Sequence, residues 1–342
     1  MIHHKEHTST GAAQRVLVIG AGGYLGGAVT ERLLAAGHQV LALTRPGEAS
    51  TAVPDGVTTV PGDLRDPESL RAAVTADVDA VVHLATPLGE EAADLAALDA
   101  LVSALAGTGR ALVYTSGAWV LGPSTAPTPE DATTSDATTS DATTQDPAAP
   151  GQTRRATVEP FDEASPTNPI PLVGYRHRLE ERVLAASTQQ VRGVVLRPGV
   201  AHGRGGGIPA LLVELARQHG AGRHVGEGTV RWPMVHVDDL ADLFVLALES
   251  APAGSVLHGV AEEGVDTRDL AAAAAASAGV GGVRAWPLAQ AADTLGGPFA
   301  EALACDQLVS AQRTCEVLGW QPRRAGALDD IANGSYRVTS AA

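Results

Sequence analysis

Lysine is almost absent from this chain of 342 residues, since Lys5 is the single lysine beside 23 arginines among the 24 basic residues. Any reaction assigned to the chain must therefore work without a lysine ammonium, unless a substrate or partner supplies one. Cysteine is scarce as well, and only Cys305 and Cys315 occur. We expect free thiols in a reducing cytoplasm, because the N-terminal residues lack the apolar segment of a secretory signal and no apolar run is long enough to span a membrane.

Basic charge is in deficit, with 39 acidic against 24 basic residues and a formal net charge of -15. Nucleic acids and anionic membranes both attract basic surfaces, so neither is an expected partner. The histidines, cysteines and carboxylates show no metal-ligand spacing, so no metal is expected either. A small molecule is the expected partner.

Short apolar runs rich in β-branched residues alternate with helical segments along the first part of the chain. Strands are predicted at 16–19, 40–43, 57–60, 80–84, 111–115 and 191–196, and helices at 24–36, from 66–67, at 95–105, 175–186 and 211–218, with a last helix of this part that runs to 249. Asp66, followed by Pro67, is predicted to cap the second helix, and Asp238 or Asp239 to cap the last one. This alternation predicts an α/β fold with a Rossmann-type, doubly wound parallel sheet.

Glycines follow the first predicted strand at a spacing that suits a nucleotide. Gly20, Gly23 and Gly26 form G-x-x-G-x-x-G between a strand and a helix. Glycine lets the backbone turn tightly and approach a pyrophosphate, which then sits at the helix N-terminus. The pattern predicts a dinucleotide site, with Tyr24 and Leu25 among its contacts.

The end of the second strand indicates which dinucleotide is preferred. A site for NAD usually has an acid there to bind the ribose 2′-hydroxyl, whereas this chain has Thr44, Arg45 and Pro46. A guanidinium can grip a 2′-phosphate with paired hydrogen bonds. We therefore expect NADP(H) as the preferred cofactor and NAD(H) as the alternative.

The domain organisation follows from these patterns. We expect a disordered tail at 1–14, a Rossmann domain at 15–253, and a smaller substrate-binding lobe at 254–342 with contributions from about 199–235. Residues 123–157 contain the repeats DATTS, DATTS and DATTQ and few apolar residues, which predicts a disordered insertion.

Several segments together resemble the extended, or atypical, short-chain dehydrogenase/reductase superfamily, in its NAD(P)-dependent epimerase/dehydratase group. They are GAGGYLG at 20–26, GDLRD at 62–66, VHLAT at 82–86, LRPG at 196–199, VHVDDLA at 235–241 and LGWQP at 318–322. The resemblance spans nearly all of 15–322 except the insertion. It implies further cofactor contacts from Asp63, Leu64, Leu84, Ala85, Thr86 and Pro198, and it raises a homodimer as a partner arrangement.

The catalytic residues of that superfamily are matched only in part. Its members typically use a Ser or Thr after the fifth strand and a Tyr-x-x-x-Lys on the next helix. The tyrosine acts as general acid/base, and the lysine lowers the tyrosine pKa and holds the nicotinamide ribose. Here the Ser/Thr position falls on Gly117, and Thr115 and Ser116 are the nearest hydroxyls. Either hydroxyl can polarise a substrate oxygen, or it can simply form hydrogen bonds with backbone groups of the loop at the strand end.

The following helix has no lysine at the lysine position of Tyr-x-x-x-Lys, in either of the two registers in which it can be aligned with that motif. Leu179 lies four residues after Tyr175, and the alternative alignment pairs Val173 with His177. Tyr175 and Arg176 resemble an aromatic-Arg pair that a subset of the superfamily carries. We expect Arg176 to bind a ribose hydroxyl or an oxyanion, because arginine keeps its proton in proteins. Tyr175 or His177 would then be the general acid/base. The alternative is that residues 175–178 form the start of a surface helix whose charged side chains face water.

The segments expected to rim the substrate cleft contain Trp119, His202, Trp232 and Met234, which either shape a pocket or belong to the core. Three functions stay open. The first is an NADP-dependent oxidoreductase acting on a small carbonyl or hydroxyl compound in secondary metabolism, which the cofactor motifs favour. The second is a redox-neutral epimerase, dehydratase, isomerase or cyclase, and the third is a non-enzymatic NADP-binding regulator.

Overall fold

The computed structural model describes residues 12–45, 47, 53–85, 89–124, 158–226 and 229–337. The strands are β1 (Arg15–Ile19), β2 (Gln39–Thr44), β3 (Thr58–Pro61), β4 (Ala80–His83), β5 (Ala111–Thr115), β6 (Arg192–Pro198), β7 (Val200–His202), β8 (Gly222–Val225), β9 (Arg231–His236), β10 (Ser255–Gly259), β11 (Glu262–Asp266) and β12 (Val283–Trp286). The helices are α1 (Tyr24–Ala35), α2 (Pro67–Ala73), α3 (Glu91–Leu105), α4 (Arg176–Ala185), α5 (Gly207–His219), α6 (Val237–Ser250), α7 (Thr267–Ala278), α8 (Leu288–Leu295), α9 (Gly297–Leu303), α10 (Gln312–Leu318) and α11 (Ala327–Asn333). Most of the predicted tail and insertion, and Thr86 among the predicted cofactor contacts, lie outside the described residues.

The central sheet has the strand order β10-β6-β5-β4-β1-β2-β3, and its neighbouring strands all pair in parallel. The predicted doubly wound α/β fold is thereby confirmed. The order reverses between β1 and β4. In open parallel sheets a ligand binds outside the carboxyl ends of the strands at such a reversal.

Helices cover both faces of this sheet because its strands are apolar on both sides. Along β1, Val16 and Val18 pack into the core under α1 and α6, whereas Leu17 and Ile19 pack into the core under α2, α3 and α4. Successive side chains of a strand point to opposite faces, so the unbroken apolar run is what a two-sided core requires.

A smaller lobe is built around a sheet of order β11-β9-β7 and a separate pair of β12 with β8. Its core lies among α5, α7 and α11. The last strand of the central sheet, β10, lies beyond residue 253, where the Rossmann domain was expected to end. The chain therefore enters the lobe after β6, returns to the central sheet for α6 and β10, and then re-enters the lobe at β11.

Helix starts were predicted from capping residues, with mixed success. Asp66 caps α2 as predicted, ahead of Pro67 at the first helical position. The prediction that Asp238 or Asp239 caps α6 is wrong. His236 is the N-cap, because its ring nitrogen Nδ1 accepts the backbone N–H of Asp238 at 3.1 Å.

Candidate active site

The turn between β1 and α1 admits only glycine at two of its three motif positions. Gly20 has φ +95°, and a Cβ there would lie 2.8 Å from the backbone nitrogen of Ala85. A Cβ on Gly26 would lie 1.8 Å from the carbonyl oxygen of Gly20. Gly23 closes the turn by donating its N–H to that same carbonyl at 3.1 Å. The three glycines therefore bring the first turn of α1 directly against the ends of β1 and β4.

The first turn of α1 is suited to an anion. Gly23 is its N-cap and offers no side-chain acceptor, and no acidic residue lies in the turn that begins with Tyr24 and Leu25. The first N–H groups of a helix have no partner within the helix, and the helix dipole adds positive potential there. These residues fit the pyrophosphate of a dinucleotide cofactor. Bound NAD(P) would supply hydride chemistry through its nicotinamide ring.

Further predicted cofactor positions line the same edge of the sheet. Arg45 follows β2 and is exposed. After β3, the carboxylate of Asp63 is held in a turn, where it accepts the N–H of Arg65 at 2.8 Å. The neighbouring Leu64 packs partly into the core under α2, α3 and α4. The structure thus brings these positions to the carboxyl ends of adjacent strands.

The remaining predicted cofactor positions follow β4 and end β6. Leu84 and Ala85 both donate their N–H groups to the carbonyl of Ile19, at 2.9 and 3.1 Å, which ties the end of β4 to that of β1. Pro198 is the last residue of β6 and pairs with Gly259 of β10. Both segments lie at the carboxyl edge that carries the glycine turn.

Two buried hydroxyls end β5. Thr115 and Ser116 are 8% and 5% exposed, and neither Oγ1 of Thr115 nor Oγ of Ser116 has a hydrogen-bond partner within the described residues. No atom of the described residues lies within 4 Å of the position that a Cβ on Gly117 would take. Buried hydroxyls without partners are rare in folded proteins, so a bound molecule or water is the expected partner.

Arg176 begins α4 and projects toward this strand end. Its Nη1 donates to the carbonyl oxygen of Ser116 at 3.0 Å, and the residue is buried. Leu179 is instead fully buried in the core under α2, α3 and α4, and His177 is half-buried. The cation that faces β5 is Arg176, and the residue four positions before it is Leu172.

A buried ion pair sets the rotation of α4. Glu180 accepts hydrogen bonds from Arg197 of β6, with Nη2 of Arg197 2.6 Å from Oε2 of Glu180. Side chains four residues apart share one face of a helix, so Arg176 faces the sheet together with Glu180. Sequence reasoning missed this role of Glu180. The available signal was an acid four residues after a basic residue on a helix that crosses the sheet.

Tyr175 directs its hydroxyl proton to α3. Its hydroxyl donates to Oδ2 of Asp94 in α3 at 3.1 Å. Burial and the Asp94 carboxylate raise the pKa of Tyr175. Burial raises the pKa of Asp94 to about 6, and the bond from Tyr175 opposes that rise only in part. Tyr175 can protonate a substrate here only by leaving Asp94 or by receiving a proton from it.

His83 is a second residue that sequence reasoning assigned no role. It ends β4 and is fully buried, and its ring packs edge-on against Tyr114 with centroids 5.6 Å apart. Burial, together with the positive charge of Arg176, lowers its pKa to about 4. Neither ring nitrogen of His83 has a partner within the described residues. The imidazole is therefore neutral near pH 7 and retains a donor and an acceptor beneath the site.

The four predicted pocket residues are not brought together. Trp119 is half-buried beside the β5 turn and meets Phe299 edge-on, with centroids 6.5 Å apart. Trp232 and Met234 lie inside the core of the lobe. His202 is buried under the lobe as well. Of the four, Trp119 is the residue that follows the hydroxyls of β5 in the chain, whereas Trp232 and Met234 of β9 point into the core of the lobe.

Gln307 is a residue of the lobe that holds the β5 turn in place. It is buried, and its Nε2 donates to the carbonyls of Ala118 at 3.0 Å and Gly122 at 2.7 Å. These two carbonyls flank Trp119, so the lobe fixes the wall of the site that the turn provides. An isolated glutamine gives no sequence signal for such a contact.

The fold and the glycine turn define a dinucleotide-binding Rossmann protein. A sequence profile of the NAD dependent epimerase/dehydratase family matches residues 16–258. The chain therefore belongs to this family, within the extended short-chain dehydrogenase/reductase superfamily. No helix among the described residues is both long and apolar enough to cross a membrane.

Three relatives show the range of similarity. Protein C2A9.02 of Schizosaccharomyces pombe is 30% identical over 94% of this chain and 99% of its own length. A 2-alkyl-3-oxoalkanoate reductase of Stenotrophomonas maltophilia is 32% identical over 72% of this chain and 69% of its own. A 3-diazoavenalumate denitrifying reductase of a Streptomyces species is 30% identical over 93% of this chain and 99% of its own length.

The structural comparison supports the fold. A dTDP-glucose 4,6-dehydratase of Streptomyces venezuelae, a double mutant solved with NAD bound, superposes with a TM-score of 0.70 at 19% identity, covering 94% of this chain and 95% of that one. At this identity the likeness speaks for the fold and leaves the substrate open.

Proposed function

We propose that this protein is an NADP-dependent oxidoreductase that acts on a small carbonyl or hydroxyl compound in secondary metabolism. The observation that carries the proposal is the arrangement at one edge of the sheet. The glycine turn at Gly20 fits a dinucleotide. Two strands away, at the end of β5, lie the buried hydroxyls of Thr115 and Ser116, for which the described part of the chain supplies no hydrogen-bond partner. Relatives named as reductases support this direction.

The preference for NADP rests on the end of β2. Arg45 is exposed there, and neither Thr44 nor Arg45 is acidic. A guanidinium stabilises a doubly charged 2′-phosphate, whereas a carboxylate at this position would repel it. NAD(H) would lack that contact and would bind more weakly.

At the reacting end, bound NADP(H) would donate a hydride to a substrate carbon or accept one from it. Thr115 and Ser116 are proposed to donate hydrogen bonds to the substrate oxygen. The nearby guanidinium of Arg176 adds positive potential where negative charge develops, which favours the charged transition state. Because arginine keeps its proton, Tyr175, replenished by Asp94, is the proposed acid, with His177 as the other candidate.

A redox-neutral reaction on the same scaffold is the second candidate. It is favoured by Leu172, the residue four positions before Arg176, where a tyrosine acid of the Tyr-x-x-x-Lys pattern would stand. An epimerase, dehydratase, isomerase or cyclase would need bound nucleotide without consuming it.

The first test is a titration of the purified protein with NADPH and with NADH, followed by nicotinamide fluorescence. Arg45→Glu should weaken NADPH more than NADH, while Arg71→Glu, a change at an exposed arginine of α2, should affect neither. Equal weakening of both nucleotides by Arg45→Glu would refute the 2′-phosphate contact. Failure of the wild type to bind either would refute the proposed function.

A second measurement separates the two candidate reactions. The protein is incubated with NADPH and a panel of small ketones and aldehydes while absorbance of the reduced nicotinamide is followed. Consumption that depends on a panel member supports the oxidoreductase. Conversion of a substrate in the presence of nucleotide, without net loss of NADPH, supports the redox-neutral reaction instead.

A further inference from the structure

A second glycine-rich segment lies against the first turn of α1. Residues 203–207 read Gly-Arg-Gly-Gly-Gly and connect β7 to α5. Gly203, Arg204 and Gly205 have φ values of +107°, +53° and +66°. This left-handed backbone is a conformation that glycine adopts readily and that a residue with a Cβ adopts only under constraint. Within this loop Arg204 is the residue with a Cβ at such a φ, so contacts from neighbouring segments are expected to hold the loop in its shape.

Tyr24 provides one side of that constraint. Its hydroxyl donates to the carbonyl oxygen of Gly203 at 2.9 Å. A Cβ on Gly206 would lie 2.4 Å from the Tyr24 ring, so the ring and the loop backbone are in direct contact. Tyr24 is also the first residue of α1, the helix whose N-terminal turn fits the pyrophosphate.

Tyr336, near the end of the described chain, provides the other side. Its hydroxyl accepts the N–H of Gly203 at 2.8 Å and donates to the carbonyl of Gly206 at 2.8 Å. Burial raises the pKa of Tyr336 to about 12, so the phenol keeps its proton and makes both bonds at neutral pH. Ser335 adds a third bond, because its Oγ accepts the N–H of Gly205 at 3.0 Å.

A buried His–Asp contact anchors this C-terminal segment. Oδ2 of Asp330 lies 3.1 Å from Nδ1 of His202, the residue before the loop, and Oδ1 of Asp330 accepts the N–H of Ser335 at 3.1 Å. Burial opposes the ionisation of Asp330, but the bonds from His202 and Ser335 outweigh it and lower its pKa. Asp330 therefore ties the loop and the C-terminal segment to the same point.

His202, His236 and Asp330 place three potential ligand atoms within 4.8 Å of one another, which raises the alternative of a metal site. Hydrogen bonding at His236 argues against it. Nδ1 of His236 accepts the N–H of Asp238, so in the neutral ring Nε2 carries the proton and has no lone pair for a metal. The cluster is better explained as the anchor of the C-terminal segment.

We propose that Tyr336 is a positioning residue for the dinucleotide. It holds the 203–206 loop against Tyr24 and so fixes the first turn of α1, where the pyrophosphate would bind. Tyr336 follows α11 of the lobe, so cofactor binding and the packing of the C-terminal segment are thermodynamically linked. Cofactor binding should stabilise the packed segment, and the packed segment should raise cofactor affinity by the same factor. The proposal rests on the proposed function, because it requires a dinucleotide at α1.

The test compares wild type with Tyr336→Phe, which removes the hydroxyl and keeps the ring. NADPH affinity is measured by nicotinamide fluorescence well below the melting temperature. Loss of two hydrogen bonds that act on the binding turn should weaken NADPH about tenfold. Tyr24→Phe should weaken it similarly, and the double variant should lose less than the product of the two single effects, because both act through one loop.

The control is Asn333→Ala, a change at an exposed residue of α11 whose side-chain amide bonds Asp329 on the same helix. It should leave NADPH affinity unchanged. A second readout is backbone hydrogen exchange over 330–337, which NADPH should slow in the wild type but not in Tyr336→Phe. Tyr336→Phe with wild-type affinity, or exchange that NADPH leaves unchanged, would overturn the proposal. A wild type that binds no nucleotide would instead refute the proposed function.

Discussion

The phenol of Tyr175 and the carboxylate of Asp94 form a buried hydrogen bond, with Tyr175 Oη 3.1 Å from Asp94 Oδ2. The bond joins the start of α4 to the first turn of α3 at the rim of the candidate site. It gives the proposed acid a partner that can return a proton. Burial disfavours the ionisation of Asp94 and raises its pKa to about 6, although the bond from Tyr175 opposes part of that rise.

Replacing Asp94 should change stability in a pH-dependent way. Its pKa rises from an ordinary 3.8 to about 6 in the folded protein, so the folded state binds the proton more tightly than the unfolded chain. The destabilisation is therefore absent at pH below the ordinary pKa, grows between the two values, and is complete above the folded value. Asp94→Asn should raise the melting temperature at about pH 8, with little effect at about pH 4.

Thermal melts across this pH range test the prediction, with Asp99→Asn as the control. Asp99 is an exposed carboxylate on the same helix, paired with Arg182. Its replacement should give no gain that grows with pH. A shift of equal size at both ends of the range for Asp94→Asn would contradict the assigned pKa.

Two neighbouring glycines of α1 should respond oppositely to alanine. A Cβ on Gly26 would lie 1.8 Å from the carbonyl oxygen of Gly20, whereas the nearest contact that the described residues offer a Cβ on Gly27 is the carbonyl oxygen of Ala21 at 4.0 Å. Gly26→Ala should cost at least about 2 kcal/mol of unfolding free energy and abolish nucleotide binding. Gly27→Ala should gain about 0.5–1 kcal/mol, because alanine favours a helix. Urea unfolding and NADPH titration measure both, and a stable, nucleotide-binding Gly26→Ala would disprove the close approach.

The buried pair of Glu180 and Arg197 should show strong coupling. Glu180→Leu alone leaves the Arg197 guanidinium buried without its carboxylate, which should cost about 3–5 kcal/mol of unfolding free energy. Adding Arg197→Met should recover most of that loss, since two apolar side chains can pack where the pair stood. A double-mutant cycle in urea gives the coupling. Additive losses would show that the pair does not act as a unit.

Gln307→Leu should destabilise the protein by leaving two carbonyls, those of Ala118 and Gly122, without their donor. Each buried group that loses its partner costs about 1–3 kcal/mol, so a total of about 2–6 kcal/mol is expected for the two carbonyls. Gln312→Leu is the control, because Gln312 is exposed and bonds Glu316 on its own helix. If the two variants unfold at the same urea concentration, Gln307 does not hold the β5 turn.

Much of the fold could be predicted because it is encoded locally. The strands β1 and β5 lie within a residue of their predicted ends, since a two-sided core demands an unbroken apolar run. Helix caps were less predictable, because a histidine side chain can replace aspartate as the acceptor at the start of α6. The strand β10 was not assigned to the central sheet, since its partner β6 lies about 60 residues earlier in the chain.

The candidate site likewise combines features that the local sequence determines with features that depend on contacts between distant segments. The spacing of Gly20, Gly23 and Gly26 determines the glycine turn between β1 and α1, because backbone sterics at a strand–helix junction act over a few residues. Only the tertiary structure showed that Arg176 faces β5 and that Tyr175 bonds Asp94. The rotation of α4 depends on a pair between Glu180 and a distant strand, and side-chain contacts across such distances leave no periodic signal in a single sequence.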